Sequence, residues 1–380
     1  MKVKLSAIFI ALTVIFCCIS AGCISTEDTN KDGTITVIDA YGREVTIPEN
    51  PTDVATAGSI SCRFITYVQA QDSITSVDFG ETRESRLTYE PRPFALANRQ
   101  FITMPAVTSD TGAVNIEQLL VLNPQLLIMS AYSASDIGEA DDITEKTGIP
   151  VVLLDDTADL GANRDKFDYN INLLAKIFGK EKRAEEFLSY IDNTIADLNE
   201  RTKDIPESEK PTVYIGGVAY NGAHGITYTE PYYPPFQYVN VKSVAADEER
   251  TSTLAIEVSE EKLLEWNPEV IFIDATTLRY KLDDNAFQSL ESDTNYVGMQ
   301  AVENDNVYVT IPYVWNGINH ESSLANAYYV GKVLFPEKFE DINPVEKTNE
   351  IYNVFIGEEV FEQVNGFIQN IGFTKYTVKA

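Results

Sequence analysis

Two stretches of this chain share one frame. Glu117-Gln118-Leu119-Leu120-Val121-Leu122-Asn123-Pro124-Gln125-Leu126-Leu127-Ile128 returns 144 residues later as Glu261-Lys262-Leu263-Leu264-Glu265-Trp266-Asn267-Pro268-Glu269-Val270-Ile271-Phe272. Each copy is the end of an amphipathic helix, an Asn-Pro break and three apolar residues. Proline stops the helix, and the apolar run behind it suits a strand covered on both faces. A helix-then-strand unit repeated at this distance predicts two similar α/β lobes rather than a short-period solenoid. Two lobes leave a cleft, and a cleft is where a ligand goes.

The N-terminus addresses those lobes to the outside of the cell. Lys2 and Lys4 precede an apolar stretch from Leu5 to Ile19, followed by Ser20-Ala21-Gly22-Cys23. A basic start, a short apolar core and small residues form a secretory signal, and the core is short for a membrane span. Cys23 directly after Ala-Gly resembles a lipoprotein box, with Cys23 as the lipid-modified first residue of the mature chain. Ser20 departs from the branched apolar residue usual there, and the alternative is an ordinary signal with an incidental cysteine. Residues Ile24 to Gly33 are polar and acidic, as a tether would be. The expected organisation is therefore a signal at 1–22, a lipid-anchor tether at 23–33, an N-terminal α/β lobe at 34–166, a connecting helix at 167–206 and a C-terminal α/β lobe at 207–380.

The formal net charge of −29 excludes a nucleic-acid partner, because phosphates demand neutralising Lys and Arg. Once Cys17 and Cys18 leave with the signal and Cys23 is an anchor, only Cys62 remains, so no intramolecular disulfide forms. Cys62 reads as a small buried residue near a helix start. With two histidines, His224 and His320, a His- or Cys-rich transition-metal site is hard to build. No protein metal site is expected, and His224 is the one weak candidate, acting through a bound chelate.

Between these landmarks the pattern alternates strand and helix, which predicts mostly parallel sheets. Thr34 to Ile47 reads as a β-hairpin. Val54 to Ala57, Ile74 to Val77, Leu126 to Met129 and Val151 to Leu154 read as the strands of the first lobe. Gly58-Ser59-Ile60-Ser61 opens a helix through about Gln71, with Ser59 or Ser61 as its N-cap. Phe167 to Ile205 is helical, with apolar stripes on either side of Gly179. Val213 to Val218, Val270 to Ile273 and Val307 to Thr310 supply the second sheet, and helices follow at 321–334, 345–355 and 358–371.

In open parallel sheets ligands sit outside the carboxyl ends of the strands. That rule selects Ser59, Ser61 and Arg63 after the first strand, where a capped helix without a ligand is the alternative. It also selects Tyr132 after Met129 and, at the matching point of the second copy, Arg279, for which a surface ion pair is the blander role. The segment from Tyr220 through His224 to Tyr228 and on to Phe236 packs aromatics into a Gly/Pro loop, as small-molecule clefts do. Tyr313, Trp315 and Asn316 form a second aromatic cluster with His320, and Arg92 in the Tyr89-to-Phe94 loop adds a third set of contacts. Converging aromatics would favour a bulky chelate. Converging hydroxyls, amides and one or two arginines would favour a small oxyanion.

The order of these features resembles the iron-complex and vitamin B12 class of ABC-transporter substrate-binding proteins. It is carried by the opening Val37-to-Val45 hairpin, the strand into Gly58, Asn115-Ile116-Glu117 through Asn123-Pro124, Gly148-Ile149-Pro150-Val151-Val152, the connector and the second copy near Pro268. The resemblance implies two Rossmann-like lobes with mostly parallel sheets, joined by a long helical connector, with the ligand cleft between them. It implies a monomeric, lipid-anchored receptor outside the membrane that hands an iron complex or similar metal chelate (siderophore, haem, corrinoid) to a permease and its ATPase. Some members of the class take molybdate or tungstate instead, which is the alternative cargo. No cofactor is implied. Enzyme activity is not expected, since the chain lacks a G-x-S-x-G elbow, an H-E-x-x-H helix and a phosphate-binding GK[ST] loop.

Overall fold

The computed structural model describes residues 33–84, 92–218, 224–248, 255–281 and 285–379, with the backbone alone at 279–281. Cys23 and the signal lie outside the described residues, as does Tyr220. The chain opens with β1 (Thr34–Ile38) paired antiparallel to β2 (Glu44–Pro48). Asp39 closes the turn, accepting from the backbone N–H groups of Tyr41 and Arg43 and pairing with the Arg43 guanidinium at 2.9 Å. The Ala40 N–H donates to the Leu153 carbonyl, so the hairpin rides on the first lobe.

That lobe is a four-stranded parallel sheet in the order β4-β3-β5-β6. Its strands are β3 (Val54–Ala57), β4 (Ile74–Ser76), β5 (Leu126–Ala131) and β6 (Val151–Asp155). Every residue of β3 and β6 is buried, as an apolar run without alternation demands of a strand covered on both faces. The helices between are α1 (Ser61–Tyr67), α2 (Ile116–Leu122) and α3 (Ser135–Thr147). The helical connector is two helices, α4 (Arg164–Phe178) and α5 (Glu181–Thr202). Gly179, at φ +61°, parts them in the left-handed conformation that glycine adopts without steric cost.

The second lobe holds β7 (Val213–Gly216), the short antiparallel pair β8 (Tyr228–Thr229) and β9 (Ile256–Glu257), then β10 (Val270–Asp274) and β11 (Val307–Thr310). Its main sheet is parallel in the order β11-β10-β7. Helices α6 (Glu260–Trp266) and α7 (His320–Leu334) belong to it.

The repeat has a shared mechanism. Asn123 ends α2 at φ 50° and Asn267 ends α6 at φ 41°, both left-handed. The following proline disfavours the α region at each Asn, and Asn is a residue that accepts the left-handed alternative. Each helix also begins on a side-chain cap, Asn115 accepting from Gln118 N–H and Ser259 from Lys262 N–H. The strands that follow, β5 and β10, are each interior to their sheet.

The two sheets are welded by an aromatic cluster. Tyr67 of α1, Phe187 of α5 and Phe355 of the helix Pro344–Ile356 meet with ring centroids 4.7 to 5.5 Å apart. Phe64, Phe167 and His320 extend the cluster, His320 lying edge-on to Phe167 at 4.9 Å. Arg183 of α5 donates to the Tyr67 carbonyl of the first lobe and the Val354 carbonyl of the second.

Candidate functional site

The carboxyl ends of β3, β5 and β6 converge on one wall. Gly58 leaves β3 at φ +83°, and a Cβ there would lie 1.9 Å from Ser130 Oγ. Glycine is therefore required both by the conformation and by the approach of the β5 end. Asp78 holds the turn, accepting from Gly58 N–H and from the Thr108 hydroxyl. Neither Ser59 nor Ser61 caps α1, contrary to the sequence expectation; the N-cap is Ile60, and the helix ends at Tyr67. Ser61 turns its buried hydroxyl back to the Ala57 carbonyl at 2.7 Å. Ser59 Oγ instead donates to Asp156 Oδ2 at 2.6 Å and lies 3.5 Å from the Tyr132 hydroxyl. Tyr132 is 67% exposed. Asp156 follows β6, and burial raises its carboxyl above the usual range against the opposing hydrogen bonds of Ser59 and Ser130 and the charge of Arg63.

Arg63 sits one turn beyond Ser59 and is fully buried. It crosses the lobe boundary: Nη2 donates to the carbonyls of Trp315 (3.3 Å) and Asn316 (2.9 Å). Its Cζ lies 5.0 Å from the centroid of Phe94, and a Cβ at Gly317 would come within 2.7 Å of Nη1. Gly317 (φ +89°) and Asn316 (φ 49°) are both left-handed, so the loop can fold down onto the guanidinium only with a glycine at 317. Arg63 Nε and Nη1 are buried without a partner, and so is Nε1 of Trp315. A buried cation with unmet donors is costly, and such groups are kept where something else meets them.

Tyr67 OH donates to Glu321 Oε2 at 2.5 Å across the same boundary. Burial lifts the Glu321 carboxyl, and the nearby Arg63 charge opposes the lift. His320 is held well below its ordinary range, first by burial and then by Arg63 and Arg164. It is a neutral ring in the aromatic weld and caps nothing, since Asn319 is the N-cap of α7.

The remaining expected site residues divide. Arg92 is buried, pairs with Glu81 at 2.6 Å and lies 5.1 Å from the Phe94 ring that Arg63 also covers. Two buried arginines therefore share one phenyl ring. Tyr313 is wholly buried, its hydroxyl on Glu230 and its ring 5.5 Å from Tyr233, so it packs the second lobe. Asn316 offers its carbonyl to Arg63. His224 and Tyr228 stack at 3.6 Å with 6° between planes, and the Thr277 hydroxyl holds the His224 carbonyl. Arg279 lies in the 3-10 segment Ala275–Lys281, its side chain outside the described residues. Among the described residues no cluster of three or more His, Cys, Asp or Glu could hold a metal ion. Cys62 is buried, and its thiol is raised by burial and by Glu81.

Sequence reasoning missed Asp156, Tyr67 and Glu321. The carboxyl-end rule reaches Asp156, which directly follows the buried run Val151–Asp155. Nothing local marks Tyr67 and Glu321 as partners 254 residues apart.

The sequence matches the family described as periplasmic binding protein over residues 82–314, more than half of the chain. The chain belongs to this family. The resemblance drawn from the repeat, the hairpin and the connector thus holds, and the two parallel-sheet lobes are its fold. A periplasmic solute binding protein from Veillonella parvula superposes with a TM-score of 0.69 at 19% identity, over 89% of this chain and 98% of that one. The molybdate-bound MolA of Haemophilus influenzae superposes with a TM-score of 0.63 at 20% identity, over 85% and 98%. In sequence, the molybdate-binding protein MolA of Haemophilus influenzae is 23% identical over 337 residues, 84% of this chain and 90% of the relative. An iron-uptake system-binding protein of Bacillus subtilis is 24% identical over 203 residues, 53% of this chain and 60% of the relative. These relatives are solute-binding proteins rather than enzymes. No described helix is long and apolar enough to cross a membrane.

Proposed function

We propose that this protein is the extracytoplasmic receptor of an ABC importer for a small oxyanion of the molybdate and tungstate type, tethered through Cys23. The observation that carries the reading is a pair of unmet, buried donors at the lobe boundary, Arg63 Nε and Nη1, on a guanidinium that holds the Trp315 carbonyl; Trp315 Nε1 is buried and unmet as well. Donors without acceptors suit an oxygen-rich anion, which a guanidinium N–H meets with a charge-assisted hydrogen bond. The binding named for MolA, the relative matched over the greater length, supports the same cargo.

A metal chelate is the second reading, favoured by the stacked His224 and Tyr228 and by the iron-uptake relative. The two cargoes separate in one experiment. The soluble chain beginning after Cys23 is incubated with molybdate, tungstate, a ferric siderophore, haem and cobalamin, then examined by native mass spectrometry with elemental analysis. Retained molybdenum or tungsten without an organic carrier supports the oxyanion. A retained chelate, lost in Tyr228→Ala and His224→Ala, overturns it.

A further inference from the structure

With the loop 313–319 in place, nothing from solution reaches the Arg63 guanidinium, which is fully buried. Phe94, in the short helix Pro93–Ala97, covers it at 5.0 Å. The loop supplies the rest of the contact. Arg63 Nη2 donates to the Trp315 and Asn316 carbonyls at 3.3 and 2.9 Å, and a Cβ at Gly317 would lie 2.7 Å from Nη1. Two backbone carbonyls therefore hold the guanidinium where an anion's oxygens would go, while Nε and Nη1 stay unmet. The loop has tied feet and a narrow tip. Asn319 donates to the Tyr313 carbonyl from its backbone N–H at 2.7 Å and from Nδ2 at 3.2 Å, and Val314 bridges antiparallel to Ile318. At the tip, Trp315 N–H donates to the Gly317 carbonyl at 3.1 Å, with Asn316 and Gly317 both left-handed. The tip grips the first lobe through the two carbonyls on Nη2.

We propose that the tip at 315–317 is an autoinhibitory strap: it fills the Arg63 site until a dianion takes the guanidinium from the two carbonyls, and Trp315 then turns out to solvent. This inference rests on the oxyanion reading and deepens it by naming what the anion must displace. A hydrogen bond from a cation to an anion is roughly twice as strong as one to a neutral acceptor. A charged oxyanion thus outcompetes backbone carbonyls, and a neutral solute does not. The exchange also gives Nε and Nη1 the acceptors that the strap withholds.

Trp266 and Trp315 are the two tryptophans of the chain. In Trp266→Phe of the soluble chain beginning after Cys23, acrylamide quenching of fluorescence therefore reads Trp315 alone. Trp315 is 2% exposed, so quenching starts weak and is expected to rise several-fold when sodium molybdate or sodium tungstate saturates the protein. Gly317→Ala strains the seated strap through its φ of +89° and its approach to Nη1. The lifted population grows, and calorimetric titration is expected to find molybdate bound about tenfold more tightly. Quenching that is unchanged or weaker at saturation overturns the strap and leaves the oxyanion receptor intact. A folded Gly317→Ala that binds no more tightly than wild type does the same. If Gly317→Ala fails to fold, the quenching of Trp315 decides alone. No molybdate or tungstate bound by wild type, or Arg63→Gln binding as wild type does, overturns the oxyanion reading and the strap with it. Urea unfolding of each variant shows that the comparison is between folded proteins.

Discussion

Gly58→Ala tests the close approach of the β3 and β5 ends directly. At φ +83° an L residue is strained, which costs ~1–2 kcal/mol. The new methyl would also lie 1.9 Å from Ser130 Oγ, 3.1 Å from its Cβ and 3.3 Å from its backbone nitrogen. Ser130 cannot withdraw, because it belongs to β5 and is paired in register with Leu154. Overpacking of this kind costs ~1–3 kcal/mol. The summed ranges put the expected loss at about 2–5 kcal/mol. Urea unfolding followed by circular dichroism reads it out. The double variant Gly58→Ala, Ser130→Ala removes the Oγ contact and should recover the packing part, leaving about 1–2 kcal/mol from the backbone. A single-variant loss under about 1 kcal/mol, or a double variant no better than the single, would refute the reasoning.

Two other outcomes follow from buried polar groups and a third from packing. Asp274 is fully buried with Oδ2 unpartnered, and burial lifts its carboxyl from 3.8 to about 7. The raised carboxyl contributes stability that is complete below its unfolded pKa and is lost as pH rises through about 7; the loss is ~4 kcal/mol, and Asp274→Asn should flatten that part of the stability–pH curve. Tyr67→Phe strips Glu321 Oε2 of its donor and should cost ~1–3 kcal/mol, while Tyr67→Phe with Glu321→Met should recover most of it in the same unfolding assay. Gly331→Ala places a methyl 2.3 Å from the Phe339 ring inside α7 and should destabilise by ~1–3 kcal/mol, visible as a lower thermal midpoint.

The architecture was legible because its signals are local. Asn-Pro pairs, short apolar runs and a glycine between two helical stripes act over a few residues, and the strands Val54–Ala57 and Val307–Thr310 appear with the expected bounds. The site was only partly legible because its decisive contacts are remote. Ser59 looked like a cap, since a serine before a helix usually is one, but the arrival of β6 offered its hydroxyl a carboxylate instead. Arg63 was selected by the carboxyl-end rule, yet its destination in a loop 252 residues away has no local signature. Tyr313 was chosen as an aromatic near a strand end. Its hydroxyl found Glu230 and its ring found Tyr233, which turns a supposed lining residue into core.

The aromatic weld has a consequence for transport. Swinging the lobes apart would separate Tyr67, Phe187 and Phe355 and bare their faces to water, an expense that grows with every ångström of opening. The loop over Arg63 is a much lighter part, held to the guanidinium by two carbonyls. A permease meeting this receptor would thus see nearly the same outline whether it arrives full or empty. The news that cargo is aboard would have to be carried by a few residues near 315–317 rather than by a jaw that shuts.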